Sequence, residues 1–205
     1  MLVTHYETPF PSIFIENTYS DSELHLIWEE LNFLCHPQKL LPPEKTGGAI
    51  SGNTKENLKK NNARWLDNLY EDRKISNILT VNRKIFDKFD EIKSSHPSWF
   101  FNNFTCNFDT TQISYYEKND YYGAHTDASI LTALTWFYKE PKKFQGGDIF
   151  FTDYDLQHSI QNNSTLIFPS CIKHSVSTIE MGDENLNKRL GRFCMAQFFQ
   201  IKSEH

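Results

Sequence analysis

The chain has 205 residues, a length that suits one domain with a continuous core, and we expect a single domain over residues 1–205. Its net charge of −5 argues against a dedicated nucleic-acid binder, whose affinity rests on Lys and Arg contacts to phosphates. The four cysteines have neither CxxC nor zinc spacing, which argues against a disulfide framework or a zinc site. Without a secretory signal or a membrane-length apolar run, the sequence predicts a soluble, cytoplasmic protein.

The N-terminal part begins with a strand and an amphipathic helix. A strand is predicted over residues 10–17, and Ser20 or Asp21 then caps a helix, with Glu23 in position for a capping box. Apolar residues recur along this helix at helical spacing, so we expect it to pack on a sheet. The pair His36-Pro37 is expected to end the helix.

A segment of different composition follows, over residues 40–62. It is rich in Pro, Gly, Asn and Lys and has no sustained period, which predicts a long loop. Such a loop is either a functional lid or a disordered segment, and the sequence leaves both readings open. A second amphipathic helix is predicted from Ile75 to Ile92. Residues 1–98 are thus expected to provide helical support and a lid loop.

After residue 97 the pattern changes to strands. No helical pattern follows, and strands are predicted over residues 104–116, 131–138, 148–152, 164–168, 174–178 and 192–201. This order fits a two-sheet β architecture better than a βαβ fold. We therefore predict a mainly β (α+β) protein, a double-stranded β-helix or jelly roll over residues 99–205 with flanking N-terminal helices.

Three residues in this half have the chemistry of a metal site. His125 and Asp127 would project from the same face of a strand, because residues i and i+2 share a face. His174 would complete two nitrogens and one carboxylate, a set that suits non-haem Fe(II) because it leaves three adjacent positions open. His158 is the rival third ligand, but its polar neighbours indicate a surface turn, whereas His174 follows an apolar strand.

Arg192 is the candidate anchor for the far carboxylate of a bidentate co-substrate. Its guanidinium offers fork geometry, and an Arg inside a barrel needs an anionic partner. Arg189 is the competitor, because residues 181–190 look like an inserted hairpin loop that makes the register uncertain. Gly191 is interpreted as permitting a turn before Arg192, and a surface salt bridge is the alternative role for Arg192.

Taken together, these features resemble a known family. The matching features are Tyr116, His125-Thr-Asp127, Gly146-Gly147-Asp148-Ile149, Thr165 to Pro169, His174-Ser-Val176 and Gly191-Arg192. In order and spacing they are similar to the Fe(II)/2-oxoglutarate-dependent oxygenases, in particular the prolyl 4-hydroxylase-like branch. The resemblance covers residues 99–201 well and the N-terminal part more loosely.

The resemblance implies cofactors and residue roles. Fe(II), 2-oxoglutarate as co-substrate and O2 are expected, with ascorbate as an optional addition. His125, Asp127 and His174 would bind the metal, and Arg192 and the Tyr116 hydroxyl would bind 2-oxoglutarate. Tyr115 is the rival of Tyr116, since a bulge in the strand would exchange their faces.

The resemblance also implies a reaction. The chain would be a dioxygenase that hydroxylates an unactivated C–H, with a prolyl residue in a peptide or protein as the first choice, and releases succinate and CO2. Trp65, after the loop segment, would provide an aromatic platform for the proline ring. A nucleic-acid dealkylase, a small-molecule hydroxylase and a non-catalytic jelly-roll binding module remain alternatives. The oligomeric state cannot be deduced from the sequence.

Overall fold

The computed structural model describes residues 1–35, 39–48, 50–51 and 54–202. The described residues form fourteen strands: β1 (Leu2–Tyr6), β2 (Ser12–Glu16), β3 (Lys59–Lys60), β4 (Asn62–Trp65), β5 (Phe108–Tyr116), β6 (Tyr121–His125), β7 (Leu131–Phe137), β8 (Phe144–Gln145), β9 (Ile149–Phe151), β10 (Leu156–His158), β11 (Ser164–Pro169), β12 (His174–Val176), β13 (Glu180–Met181) and β14 (Arg192–Gln200). The α-helices are α1 (Asp21–Leu34), α2 (Pro43–Thr46), α3 (Asn77–Asp87), α4 (Phe89–Lys93) and α5 (Trp99–Asn102).

The strands form two main antiparallel sheets. The larger has the order β1-β2-β11-β7-β14-β5-β4, and the smaller has the order β10-β9-β12-β6-β3. One apolar cluster fills the space between these sheets, and another lies between the larger sheet and the helices. This is the predicted mainly β jelly roll with flanking helices. The candidate site lies between the two main sheets, lined by residues of β5 and β14 from the larger sheet and of β6 and β12 from the smaller one.

Helix α1 follows its sequence signals. Ser20 is the N-cap, and its reciprocal hydrogen bonds with Glu23 form the predicted capping box. The apolar face buries Ile27, Leu31 and Leu34, as the spacing predicts. Glu30 is also buried and accepts hydrogen bonds from the start of α3, which ties the two helices together. The expected stop at His36-Pro37 lies outside the described residues.

The second helical region is shorter than predicted and divided. A 3-10 turn precedes α3, and Ile75, expected on the packed face, is 67% exposed. Ser76 caps α3 by accepting from the Leu79 N–H, and a break at Lys88 separates α3 from α4. Helix α5 was not predicted, since four residues are too few to show a helical period.

The segment at residues 40–62 is not one long loop in its described part. It contains α2 and β3 and leads into β4, and Leu41 pairs with Ala63. The Trp65 indole N–H donates to the Thr46 carbonyl at 2.9 Å, which fastens α2 to β4. Its order therefore comes from contacts across the chain, which no local period reveals. Residues 1–98, expected to give helices and a lid, also supply β1 to β4.

Among the described helices, none is long and apolar enough to cross a membrane.

Candidate active site

The three predicted metal ligands come together between β6 and β12. His125 ends β6, His174 begins β12, and the two are direct partners in the ladder. The Nε2 atoms of His125 and His174 lie 3.7 and 3.6 Å from the two carboxylate oxygens of Asp127. One possible ligand atom from each residue lies within 4.8 Å of the others. Two imidazoles and one carboxylate at this separation form a facial set suited to a divalent metal.

Asp127 reaches this position in a way that the strand argument did not foresee. It lies two residues beyond the end of β6, so strand alternation does not place its side chain. Instead its N–H donates to the Ser170 carbonyl at 3.0 Å, and the Thr132 hydroxyl donates to Oδ2 at 2.6 Å. Thr132 and Ser170 also share a hydrogen bond of 2.8 Å. These partners belong to β7 and the turn after β11, and they orient the carboxylate.

Both histidines are held in the form that binds a metal. The Nδ1 atom of His125 lies 2.9 Å from the Gly123 carbonyl, and that of His174 lies 2.9 Å from the Ile172 carbonyl. A carbonyl only accepts, so Nδ1 carries the proton and each Nε2 keeps its lone pair toward Asp127. Burial, together with the neighbouring His174, lowers the pKa of His125 to about 4 and keeps that ring neutral.

The rival His158 lies outside this cluster. It is on β10, separated from β12 by β9, and its ring packs against Trp136 at 5.5 Å and Phe14 at 5.1 Å between centroids. The expected surface turn is therefore wrong, since the side chain lies on a strand and is partly covered by aromatic rings. On β10 the side chains of Leu156 and Gln157 are exposed, whereas that of His158 is partly buried.

A β-bulge in β6 gives the site a further aromatic contact. His174 pairs with His125, but Val176 pairs with Tyr122, so β6 has one extra residue between the two pairs. The bulge brings Tyr122 to the same face as His125, and their rings stack at 3.6 Å with 12° between planes. Tyr122 thus helps to orient the ring of His125.

Arg192 lies on the facing sheet and is completely buried. It is the direct partner of Tyr116 in the β14–β5 ladder, and its guanidinium lies 4.7 Å from the centre of the Tyr116 ring. Its Nε, Nη1 and Nη2 atoms have no hydrogen-bond partner among the described residues. A buried guanidinium with all its donors unpaired is costly, which indicates that an anion completes the site. The surface salt bridge considered from the sequence is wrong.

Tyr115 and Arg189, the alternatives to Tyr116 and Arg192 as co-substrate ligands, lie outside the cavity. The β5–β14 register runs without a break from Phe108 to Tyr116, so no bulge exchanges the faces. The Tyr115 hydroxyl is instead bonded to Glu117 at 2.8 Å, on the other side of the sheet. Arg189 does not line the cavity around Arg192. Gly191 allows a close approach rather than a turn, because a Cβ there would lie 2.1 Å from the Tyr116 carbonyl oxygen.

The site occupies a narrow cavity next to a wider cleft. The cavity, of about 50 Å³, contains the His-Asp-His cluster, Arg192 and Tyr116. The adjoining cleft has a volume of about 400 Å³. Residues that line both spaces are Gln112, Tyr122, Asp127 and Phe198. Trp65 forms part of the cleft wall, with its ring 5.4 Å from that of Phe198.

Sequence reasoning missed three residues of this region. Thr132 and Ser170, which orient Asp127, belong to no motif, and only the fold brings them together. Lys59 also lines the cleft, in the segment interpreted as a loop. The only sequence signal for Lys59 is the polar composition of residues 40–62. That composition does not distinguish a residue that lines a cleft from one that is exposed to solvent.

The fold corresponds to that of a known class of solved structures. The structure has the jelly-roll fold of the 2-oxoglutarate-Fe(II) oxygenases, which confirms the fold that the sequence resemblance implies. A prolyl 4-hydroxylase from Pseudomonas putida superposes with a TM-score of 0.60 at 13% identity, covering 94% of this chain and 93% of that one. A viral collagen prolyl hydroxylase from Paramecium Bursaria Chlorella virus-1 gives 0.53 at 13% identity, covering 93% and 96%. At such identities the likeness defines the fold.

The sequence comparisons are sparser. No family model matches the chain. A PKHD-type hydroxylase from Crocosphaera subtropica is 27% identical over 82 residues, covering 35% of this chain. The match spans only 37% of the length of that relative.

Proposed function

We propose that the chain is an Fe(II)- and 2-oxoglutarate-dependent dioxygenase. The observation that carries the proposal is Arg192, fully buried and unpaired in the same cavity as a His-Asp-His cluster. The C5 carboxylate of 2-oxoglutarate would satisfy the guanidinium in fork geometry and offset a desolvation cost of several kcal/mol. Both ends of a short dicarboxylic keto acid thus have a matching partner in one cavity.

The residues of the chain have distinct roles in this proposal. His125, Asp127 and His174 would hold Fe(II), with both rings fixed through Nδ1. When bound, the iron and 2-oxoglutarate supply the oxidising chemistry that consumes O2 and releases succinate and CO2. Burial raises the pKa of Tyr116, so its hydroxyl stays protonated and can donate to the co-substrate. Apolar side chains around the cavity would exclude water from the reacting centre.

The proposed substrate is a prolyl residue in a peptide or protein. Trp65 and Phe198 give the cleft an aromatic wall beside Asp127, suited to a flat, apolar ring. Two solved structures with this fold are named as prolyl hydroxylases. Lys59 is the single cationic side chain among the described residues that line the cleft, which gives little support to a nucleic-acid substrate.

A turnover experiment tests the proposal. The chain is incubated with Fe(II), 2-oxoglutarate and air, with and without ascorbate, and with a panel of proline-containing peptides. We expect succinate to form and a proline to gain one oxygen atom by mass spectrometry, and His174→Ala to form neither product. Oxidation of free proline or a nucleobase alone would refute the peptidyl-prolyl substrate. Metal binding without any succinate would indicate a non-catalytic module.

A further inference from the structure

Lys59 is a buried cation in the wall of the substrate cleft. It lies on β3 at the edge of the smaller sheet, opposite Tyr122. Only 4% of the residue is exposed, whereas Lys60, the next residue on the strand, is exposed. Lysine is seldom buried to this extent without a partner. Its side chain borders the cleft that leads to Asp127.

The ammonium of Lys59 has no anionic partner among the described residues. No carboxylate lies within 4.0 Å of it, and Nζ makes no hydrogen bond to a described side chain or carbonyl; it lies 5.8 Å from the centre of the Tyr122 ring. Burial lowers its pKa to about 8, with no compensating charge nearby. An anion at this point would relieve the desolvation cost.

The position of the ammonium is fixed by the fold. A Cβ added to Gly48 would lie 3.0 Å from Cε and 3.1 Å from Cδ of Lys59, so the aliphatic part of the side chain packs against the Gly48 backbone. Asn57 accepts a hydrogen bond from the Lys59 N–H at 3.2 Å and fixes the start of β3. The charge is therefore presented at one point of the cleft rather than spread over a mobile surface.

We propose that Lys59 binds a carboxylate of the substrate, so that the preferred target is a proline with a carboxylate close to it. This inference rests on the dioxygenase function proposed above and names the substrate class. The carboxylate can come from a glutamyl or aspartyl side chain near the proline or from a free C-terminus. A phosphate backbone is less suitable, because nucleic-acid binding uses several cations along a surface and Lys59 is the one cation on the described cleft wall.

A binding experiment under anaerobic conditions tests this assignment without turnover. The chain is loaded with Fe(II) and 2-oxoglutarate and titrated in a calorimeter with capped peptides that contain one proline. One glutamate is placed at each of the nearest positions on either side, and every peptide has a glutamine twin. A second pair compares a free C-terminal carboxylate with its amide. If 2-oxoglutarate does not bind, the titrations are repeated with Fe(II) alone, so failure of the proposed function is seen separately.

We expect at least one carboxylate-containing peptide to bind about 10- to 100-fold more tightly than its glutamine or amide counterpart. This is the size of the effect expected for a charge-assisted contact. Lys59→Met keeps the aliphatic length and should remove this preference, while Lys59→Arg should retain most of it. Lys60→Met is the matched control on the same strand and should behave as wild type. Retained 2-oxoglutarate binding in Lys59→Met shows that the variant is folded.

Three results would overturn the assignment. The first is that every carboxylate peptide binds no more tightly than its neutral counterpart, or that none of the peptides binds. The second is a preference that survives Lys59→Met. The third is Lys59-dependent binding of a single-stranded oligonucleotide without any carboxylate preference, which would assign the cation to a phosphate.

Discussion

The ligand residues of the candidate metal site depend on neighbours that have no sequence signature. The preference for His174 over His158 could be predicted, because an apolar strand leads into His174 and buries it. The orientation of Asp127 could not be predicted, since it depends on Thr132 and Ser170, two hydroxyl residues brought together by the pairing of β7 with β11. Hydroxyl residues are common, and only the three-dimensional arrangement shows that these two act as a pair.

The two histidines give a sharp test at this scale. His174→Ala removes one of three ligands and should weaken Fe(II) binding by more than about 100-fold, given that loss of an outer partner alone costs 10- to 100-fold. His158→Ala should bind iron like the wild type, because its ring packs against Trp136 outside the cluster. Anaerobic Fe(II) titration with metal analysis after dialysis measures both. Equal loss in the two variants would refute the assignment of the third ligand.

At the scale of elements, long strands were predictable and short ones were not. Gln112, Ser114 and Tyr116 are alternate residues of β5, so they share one face of the strand, and all three line the cavity. By contrast β3 has two residues and α2 has four, too few to show a period. Both are held by partners elsewhere in the chain, as when Trp65 bonds to Thr46. Because the order of residues 40–62 comes from such contacts and not from a local period, their composition alone predicts a loop.

The turn before β9 shows how backbone shape sets the position of a functional side chain. Gly147 has a φ of 76°, and a Cβ there would lie 2.8 Å from Cδ of Arg192 and 2.6 Å from Cδ1 of Ile179. Gly147→Ala should therefore displace the guanidinium and raise the apparent KM for 2-oxoglutarate by about 10-fold or more, with about 1–3 kcal/mol of backbone strain.

The control for this substitution is Gly182→Ala. Gly182 has a φ of −67°, and the three atoms nearest to an added Cβ would all belong to the carboxylate of Glu184, an exposed side chain that can move. Its 2-oxoglutarate KM should remain that of the wild type. Steady-state succinate formation and thermal unfolding measure both variants, and an unchanged KM in Gly147→Ala would show that Arg192 tolerates the added methyl group.

At the scale of the whole molecule, the candidate site joins the two sheets. The metal ligands lie on or just after strands of the smaller sheet, whereas Arg192 and Tyr116 lie on the larger one. A keto acid that chelates the metal at one end and pairs with Arg192 at the other would connect the sheets across the cavity. The stability of the fold and the occupancy of the site should therefore be coupled.

This coupling leads to a prediction for thermal stability. Fe(II) and 2-oxoglutarate together should raise the unfolding temperature by more than the sum of their separate effects, because each fixes one end of the same bridge. At a hundredfold excess over Kd, ligand binding adds about 2.7 kcal/mol, or about 5–10 °C for a chain of this size. Anaerobic differential scanning calorimetry, with each ligand alone and with both, measures the effect.

Substitutions of Arg192 and Arg189 show which arginine produces the 2-oxoglutarate contribution to the unfolding temperature. Arg192→Met should lose the 2-oxoglutarate contribution but not the Fe(II) contribution. Its ligand-free form should be at least as stable as the wild type, because replacing a buried, unpaired charge by an apolar side chain of similar length removes a desolvation cost. Arg189→Met should keep the full shift, since Arg189 does not line the cavity. If Arg189→Met instead lost the shift, the register of the chain through residues 181–190 would differ from the one described, and the anchor would be Arg189.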